Sequence, residues 1–145
     1  MKKQILLGIS LLTMCLATSC KKEGCTDKSA TNFDAEAKKD NNTCSYEGSV
    51  VFWYGKETSA QMTFNASSSL RYYFDNELTG SSSADVYFTG APNCGQDGSI
   101  TITRSLGSVK GKSYEYRVED QLGRIIWEGI VNLEAAECLQ KELAF

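Results

Sequence analysis

The cysteines are the residues of this chain whose type and spacing could do chemistry. A cysteine can act as a nucleophile, bind zinc, accept a lipid or form a disulfide. The 145-residue sequence contains no histidine, the usual base partner of a catalytic cysteine. It also contains no C-x-x-C pair, the spacing typical of zinc sites. Lipidation and disulfide formation therefore remain for the six cysteines, which are Cys15, Cys20, Cys25, Cys44, Cys94 and Cys138.

The N-terminus predicts an export signal over residues 1–19. Two lysines follow Met1, and residues 5–17 form a mostly apolar run. A membrane-spanning helix needs about 20 apolar residues, so this run is typical of a cleavable signal. Cys20 follows three small residues and resembles the lipobox cysteine of bacterial lipoproteins, whose sulfur receives a diacylglycerol. Ala17 stands where that box usually has leucine, which leaves ordinary cleavage and a soluble product as the alternative.

Four cysteines remain after the signal and the lipidated residue are set aside. An even number in an exported protein indicates disulfides, and four cysteines allow three pairings. Local spacing favours Cys25–Cys44, which leaves Cys94–Cys138.

Charge limits the partners of the exported chain. Without residues 1–19 it has 13 basic and 18 acidic residues, a net charge of −5. An acidic surface does not attract nucleic acid or anionic lipid. We therefore expect no nucleic-acid partner, and membrane attachment only through acyl chains.

Residues 24–46 read GCTDKSATNFDAEAKKDNNTCSY. This segment resembles a small module, frequent in exported bacterial proteins, that has the pattern G-C-T-D-x-x-A-x-N-[YF]-[ND]-x-x-A-x-x-D-[DN]-[GN]-[ST]-C-x-Y. Lys28 replaces the usual proline. The segment is also rich in oxygen ligands of the kind that calcium prefers. The alternative is that these side chains only form turns and helix caps. The candidate ligands are Asp27, Asn32, Asp34, Asp40 and Asn42.

Residues 49–145 predict an all-β domain, because short alternating segments rich in Val, Ile, Thr, Tyr and Phe are separated by turn residues. We expect an antiparallel β-sandwich of seven or eight strands, preceded by the signal peptide (1–19) and by a tether and small disulfide-looped module (20–48). No helix is predicted after residue 48. Eight segments are predicted as strands, namely 49–54, 60–65, 70–75, 77–82, 99–104, 113–119, 124–133 and 138–143, and residues 85–89 are predicted as a shorter strand with a weaker pattern.

The order of these segments resembles the transthyretin-like or carboxypeptidase-regulatory-like β-sandwich of exported bacterial lipoproteins. The residues that carry it are 51–53, 70–80, 93–95, 114–120 and 127–129, followed by Cys138 and Leu143. Relatives often have an L-P-x-G turn where this chain has the longer segment 105–112. The resemblance implies a non-catalytic module that supports or binds.

We therefore expect a lipoprotein anchored to the outer membrane of a bacterial envelope, where it faces the periplasm or the exterior. We expect no cofactor, unless the candidate ligands above bind calcium. Its partner is a glycan or an envelope protein, and exposed aromatics can contact either. Alternation along the strands predicts Tyr54 and Tyr73 as ligand-facing. A small inhibitor or immunity-type protein, with loop 90–98 as its contact, is the main alternative. A glycan-acting enzyme is the weaker one, because no nucleophile elbow or phosphate loop occurs.

Overall fold

The computed structural model describes residues 21–145. The predicted signal peptide and the predicted lipidation at Cys20 lie outside the described residues. No helix within residues 21–145 is long and apolar enough to cross a membrane. The elements are β1 (Glu23–Gly24), β2 (Lys39–Asp40), β3 (Tyr46–Trp53), α1 (Lys56–Phe64), β4 (Ser69–Phe74), β5 (Glu77–Ser83), β6 (Ile100–Gly107), β7 (Gly111–Asp120), β8 (Ile125–Glu134) and β9 (Cys138–Glu142).

The all-β prediction is confirmed: two sheets pack face to face as a sandwich. One sheet has the strand order β6-β3-β9 and the other β5-β4-β7-β8. Every pair in the four-stranded sheet is antiparallel. In the smaller sheet β3 and β9 run parallel, which departs from the expected antiparallel arrangement. Parallel neighbours need a long connection, and here most of the domain lies between them in sequence.

The core fills the space between the sheets. Strand β4 alternates buried and half-buried residues, so that Leu70, Tyr72 and Phe74 all point inward. The ring of Phe52 on β3 lies 6.0 Å from the ring of Tyr72 and 5.0 Å from that of Tyr116 on β7. These contacts join the two sheets, as the alternating pattern predicts.

Loop 90–98 covers the outer face of the smaller sheet. Val51 faces away from the main core and is nevertheless completely buried. Gln140 on β9 and Thr101 on β6 pair with Val51 from the two sides, and both contact the loop. The Gln140 side chain donates to the carbonyl of Pro92 at 3.0 Å, and Gly95 N–H donates to Thr101 Oγ1 at 2.9 Å. The Cys94–Cys138 disulfide fixes the same loop to β9. The loop therefore lies across the sheet and does not protrude.

The prediction of a strand over residues 60–65 is wrong, because this segment belongs to α1. Alternation of Ala60, Met62 and Phe64 suggested a strand, but only Met62 of the three is buried. Ser59 and Met62, three residues apart, form the inward face of the helix. The segment 85–89, also predicted as a strand, is irregular and is held to Tyr54 by one backbone hydrogen bond, from Phe88 N–H, at 3.0 Å.

The N-terminal module continues directly into the sandwich. Cys25 and Cys44 form the disulfide that local spacing favoured, and β1 and β2 pair in parallel beside it. Strand β3 begins at Tyr46, so the predicted boundary at residue 48 falls inside a strand.

Candidate binding cleft

A cleft of about 770 Å³ opens where β3 ends and α1 begins. Two backbone hydrogen bonds fix its position. Leu143 N–H donates to the carbonyl of Trp53 at 2.8 Å, and Phe88 N–H donates to the carbonyl of Tyr54 at 3.0 Å. The cleft therefore collects residues that are distant in sequence. They are Trp53, Gly55, Lys56, Glu57, Thr58, Gln61, Tyr87, Phe88, Thr89, Glu142, Ala144 and Phe145.

Aromatic rings form much of the cleft surface. Trp53 is partly buried, and its Nε1 is shielded from solvent without a hydrogen-bond partner among the described residues. Tyr87 is 41% exposed and Phe145 is 64% exposed. The Phe145 ring packs 5.2 Å from that of Trp127, whose Nε1 donates to the carbonyl of Ala144 at 3.0 Å. These contacts hold Phe145 at the edge of the cleft.

The polar groups of the cleft come from α1 and β9. Glu57 lies in the first turn of α1, where the helix dipole stabilises a carboxylate. Glu142 pairs in register with Trp53, so both side chains leave the same face of the sheet. Lys56 and Gln61 complete the rim, and all four polar side chains belong to exposed residues. Within residues 21–145 none of the three charged ones forms a salt bridge.

Tyr54, predicted to face a ligand, is buried and does not line this cleft. It is 3% exposed, and its hydroxyl donates to the carbonyl of Ser83 at 3.0 Å. Burial raises the pKa of its phenol. The prediction was wrong because Tyr54 continues the inward-facing series of Val50 and Phe52. Residues 49–54 are apolar at nearly every position, so their sequence does not show which of them face inward.

Tyr73, the second predicted aromatic, lies on the outer face of the four-stranded sheet and not in the cleft. The Arg117 guanidinium stands 4.7 Å from its ring centre. Arg117 in turn donates to Glu119 at 2.8 Å and to Asn76 at 3.2 Å. The surface depression beside Tyr73 has a volume of about 460 Å³.

Four of the five candidate calcium ligands use their side chains in local contacts of the module, and the fifth, Asn42, takes part through its backbone. Asp27, Asp34 and Asp40 accept a hydrogen bond from the backbone N–H two residues later, at 3.0, 2.9 and 2.6 Å, as in Asx turns. Asn32 bridges the backbone of residues 43 and 45, and Asn42 adopts a positive φ of 59°. Among the described residues no three acidic or sulfur ligands converge on one point. These contacts favour the alternative of turns and caps alone, and calcium binding stays a prediction that a titration can test.

Asp27 also joins the module to the sandwich. Its Oδ2 accepts from Lys110 at 2.6 Å and from the Tyr46 hydroxyl at 2.9 Å. The Lys110 ammonium, together with the backbone and hydroxyl of Ser29 and the Tyr46 hydroxyl, holds the pKa of Asp27 well below its ordinary value. Lys110 lies between β6 and β7, so the segment 105–112 contributes the contact that fixes the module.

Sequence reasoning missed the cleft as a unit, because the aromatics it singled out were Tyr54 and Tyr73 and not the rings that line the cleft. The available signal was the run from Gly55 to Gln61, which contains several good helix formers. Comparison of the chain with protein-family models, with curated proteins and with solved structures finds no match.

Proposed function

We propose that this protein is an exported lipoprotein of the bacterial cell envelope that binds a neutral glycan in the cleft at the end of β3, without catalysing a reaction. The observation that carries the proposal is the combination of Trp53, Tyr87 and Phe145 with carboxylate and amide groups in one cleft. Aromatic rings pack against the C–H faces of a sugar, while carboxylates and amides hydrogen-bond its hydroxyls.

The position of the cleft relative to the tether supports this function. Strand β1 begins at Glu23, only three residues after Cys20, so an acylated Cys20 keeps the module close to the membrane. Tyr46 touches the module and Trp53 lies at the far end of the same strand, about 23 Å away at the usual rise per residue. The cleft is thus at the end of the sandwich that points away from the anchor.

The charge of the cleft favours a neutral ligand over an anionic one. Glu57 and Glu142 contribute two carboxylates and Lys56 one ammonium group. The exported chain is acidic as a whole. A uronic-acid polymer or a nucleic acid would therefore meet a repulsive potential. Both carboxylates belong to exposed residues, which lack the burial that prepares a carboxyl group as a proton donor in glycoside cleavage.

Binding can be tested with the full chain, expressed with its export signal and purified from membranes in detergent. Calorimetry with neutral hexasaccharides of glucose, N-acetylglucosamine, mannose and xylose measures Kd, and a polygalacturonate hexamer serves as the anionic comparison. We expect one neutral series to bind and the Tyr87→Ala and Phe145→Ala variants to weaken it about tenfold, as the loss of an exposed aromatic contact predicts. Tyr73→Ala removes an aromatic side chain outside the cleft and should leave Kd unchanged.

Three results would overturn the glycan proposal. They are the absence of binding to every neutral series, equal binding by the two cleft variants and the unaltered protein, and the release of shorter sugars during incubation. The anchor is tested separately by mass spectrometry of the same preparation. We expect an N-terminal Cys20 that carries diacylglycerol, and an unmodified Cys20 would refute lipidation.

A further inference from the structure

A second hollow adjoins the cleft on the other side of Phe145. Its volume is about 470 Å³, and its lining consists of Ala60, Gln61, Phe64, Asn65 and Phe145. Phe64 is 92% exposed, more than any other large apolar residue within residues 21–145, and Phe145 is 64% exposed. A single exposed apolar side chain needs no explanation. Here two aromatic rings border one hollow, and that hollow shares Gln61 and Phe145 with the cleft.

One face of α1 connects the two depressions. Glu57, Gln61 and Phe64 are spaced i, i+4 and i+7, so they lie in one row along the exposed side of the helix. Glu57 lines the cleft, Gln61 lines both depressions, and Phe64 lines the hollow. At the usual rise of an α-helix the row from Glu57 to Phe64 is about 10 Å long.

We infer that the cleft and the hollow form one extended site for an internal stretch of a linear neutral oligosaccharide. This inference rests on the proposed glycan-binding function. Trp53 and Tyr87 contact one part of the chain, Phe145 lies at the junction, and Phe64 contacts a further sugar unit. Polar side chains recur between the rings, with Gln61 at the junction and Asn65 beside Phe64.

The repeating arrangement is the reason to commit to a sugar chain as the occupant. Each unit of such a chain presents an apolar face and a polar edge, and the site presents rings and hydrogen-bonding groups in the same alternation. A compact ligand would fill the cleft and leave Phe64 without a contact. A ligand that leaves the cleft along α1 would contact the exposed ring of Phe64.

The test compares a disaccharide and a hexasaccharide of the neutral series that binds, with the membrane-purified full chain. We expect the hexasaccharide to bind at least about tenfold more tightly. Phe64→Ala should weaken hexasaccharide binding about five- to tenfold and leave disaccharide binding unchanged. Tyr87→Ala should weaken both. Ile130→Ala, which removes a 67% exposed side chain from β8 outside both depressions, should weaken neither.

The outcomes separate this inference from the proposed function. Equal Kd values for the two sugars, or a Phe64→Ala variant that binds the hexasaccharide normally, would overturn the extended site while glycan binding in the cleft remained. A Phe64→Ala variant that loses disaccharide binding equally would also overturn it, because Phe64 would then belong to the primary contact. If neither sugar binds, the proposed function itself fails.

Discussion

The Asp120→Asn substitution is the sharpest test of how the β7–β8 turn is held. Asp120 is 0% exposed. Its Oδ1 accepts from the backbone N–H groups of Leu122 and Arg124, both at 2.9 Å. Its Oδ2 accepts from the Arg124 side chain at 2.6 Å and from the Ser67 hydroxyl at 3.3 Å. Arg124 Nη2 also reaches the carbonyl of Asn65 at 3.0 Å, so the turn is joined to the end of α1.

The magnitude follows from these contacts. Asparagine keeps the two backbone hydrogen bonds at Oδ1 but turns an N–H donor toward the Arg124 guanidinium. The loss of one charge-assisted hydrogen bond and the burial of an unpaired N–H predict a decrease of about 3 kcal/mol in the free energy of unfolding. We do not expect more, because the Arg124 side chain is 48% exposed and regains water. For a chain of this size the melting temperature should fall by about 10 °C.

The assay is urea unfolding followed by tryptophan fluorescence, repeated from pH 7 downward. Burial alone would raise the pKa of Asp120, but the hydrogen bonds from Arg124 and Leu122 outweigh it and hold the pKa below its ordinary value. The charged form is therefore favoured by folding, and its stabilisation is present above the unfolded-state pKa of about 3.9. The difference between the two proteins should be constant near neutral pH and shrink as the pH falls through the lowered pKa of the folded state.

The matched control is Asp97→Asn, which alters an exposed aspartate in loop 90–98 and should change stability by less than about 0.5 kcal/mol. An Asp120→Asn protein within the same limit would refute the reasoning, since the buried carboxylate would then not hold the turn. A difference that persists unchanged at pH 2 would contradict the electrostatic part of the argument.

Further predictions concern the disulfides and the module. Replacement of Cys94 and Cys138 by serine should lower the free energy of unfolding by about 4 kcal/mol in chemical denaturation, because 44 residues separate the two cysteines; a loss below about 1 kcal/mol would contradict it. Lys110→Met should raise the pKa of Asp27 measured by NMR and leave that of Asp34, held by Lys22, unchanged; an unaltered Asp27 pKa would show that Lys110 does not dock the module. Millimolar calcium should leave the melting temperature unchanged, because these aspartates already have protein partners; a clear increase would establish the calcium site.

Part of the fold is visible in local patterns of the sequence. The predicted strands 70–75 and 113–119 correspond to β4 and β7, in which alternate side chains enter the core because successive residues of a strand face opposite sides. The predicted strands 70–75 and 77–82 leave room only for a tight hairpin turn, and Asp75 and Asn76 have the positive φ that such a turn requires, at 50° and 63°. Cysteine spacing favoured the pairing that the structure contains.

The helix α1 shows where local patterns stop. Ala60, Met62 and Phe64 alternate in the sequence, and the same order fits a helix in which Met62 faces inward with Ser59. The Ser59 hydroxyl donates to the carbonyl of Ala84 at 2.8 Å, a partner 25 residues away. The helix formers of this run favour a helix, and the distant partner fixes which side of that helix faces the sandwich.

The sequence by itself determined most of the strands, the tight turn at residues 75–76 and the Cys25–Cys44 disulfide, because each depends on residues that are near in sequence. Only the tertiary structure decided that Val51 is covered by loop 90–98, that Tyr54 is buried and that Trp53 meets Phe145 in one cleft. The physical reason is that burial and cavity shape depend on which distant segments pack together, and β9 brings residues 142–145 to the end of β3 through pairing that spans most of the domain.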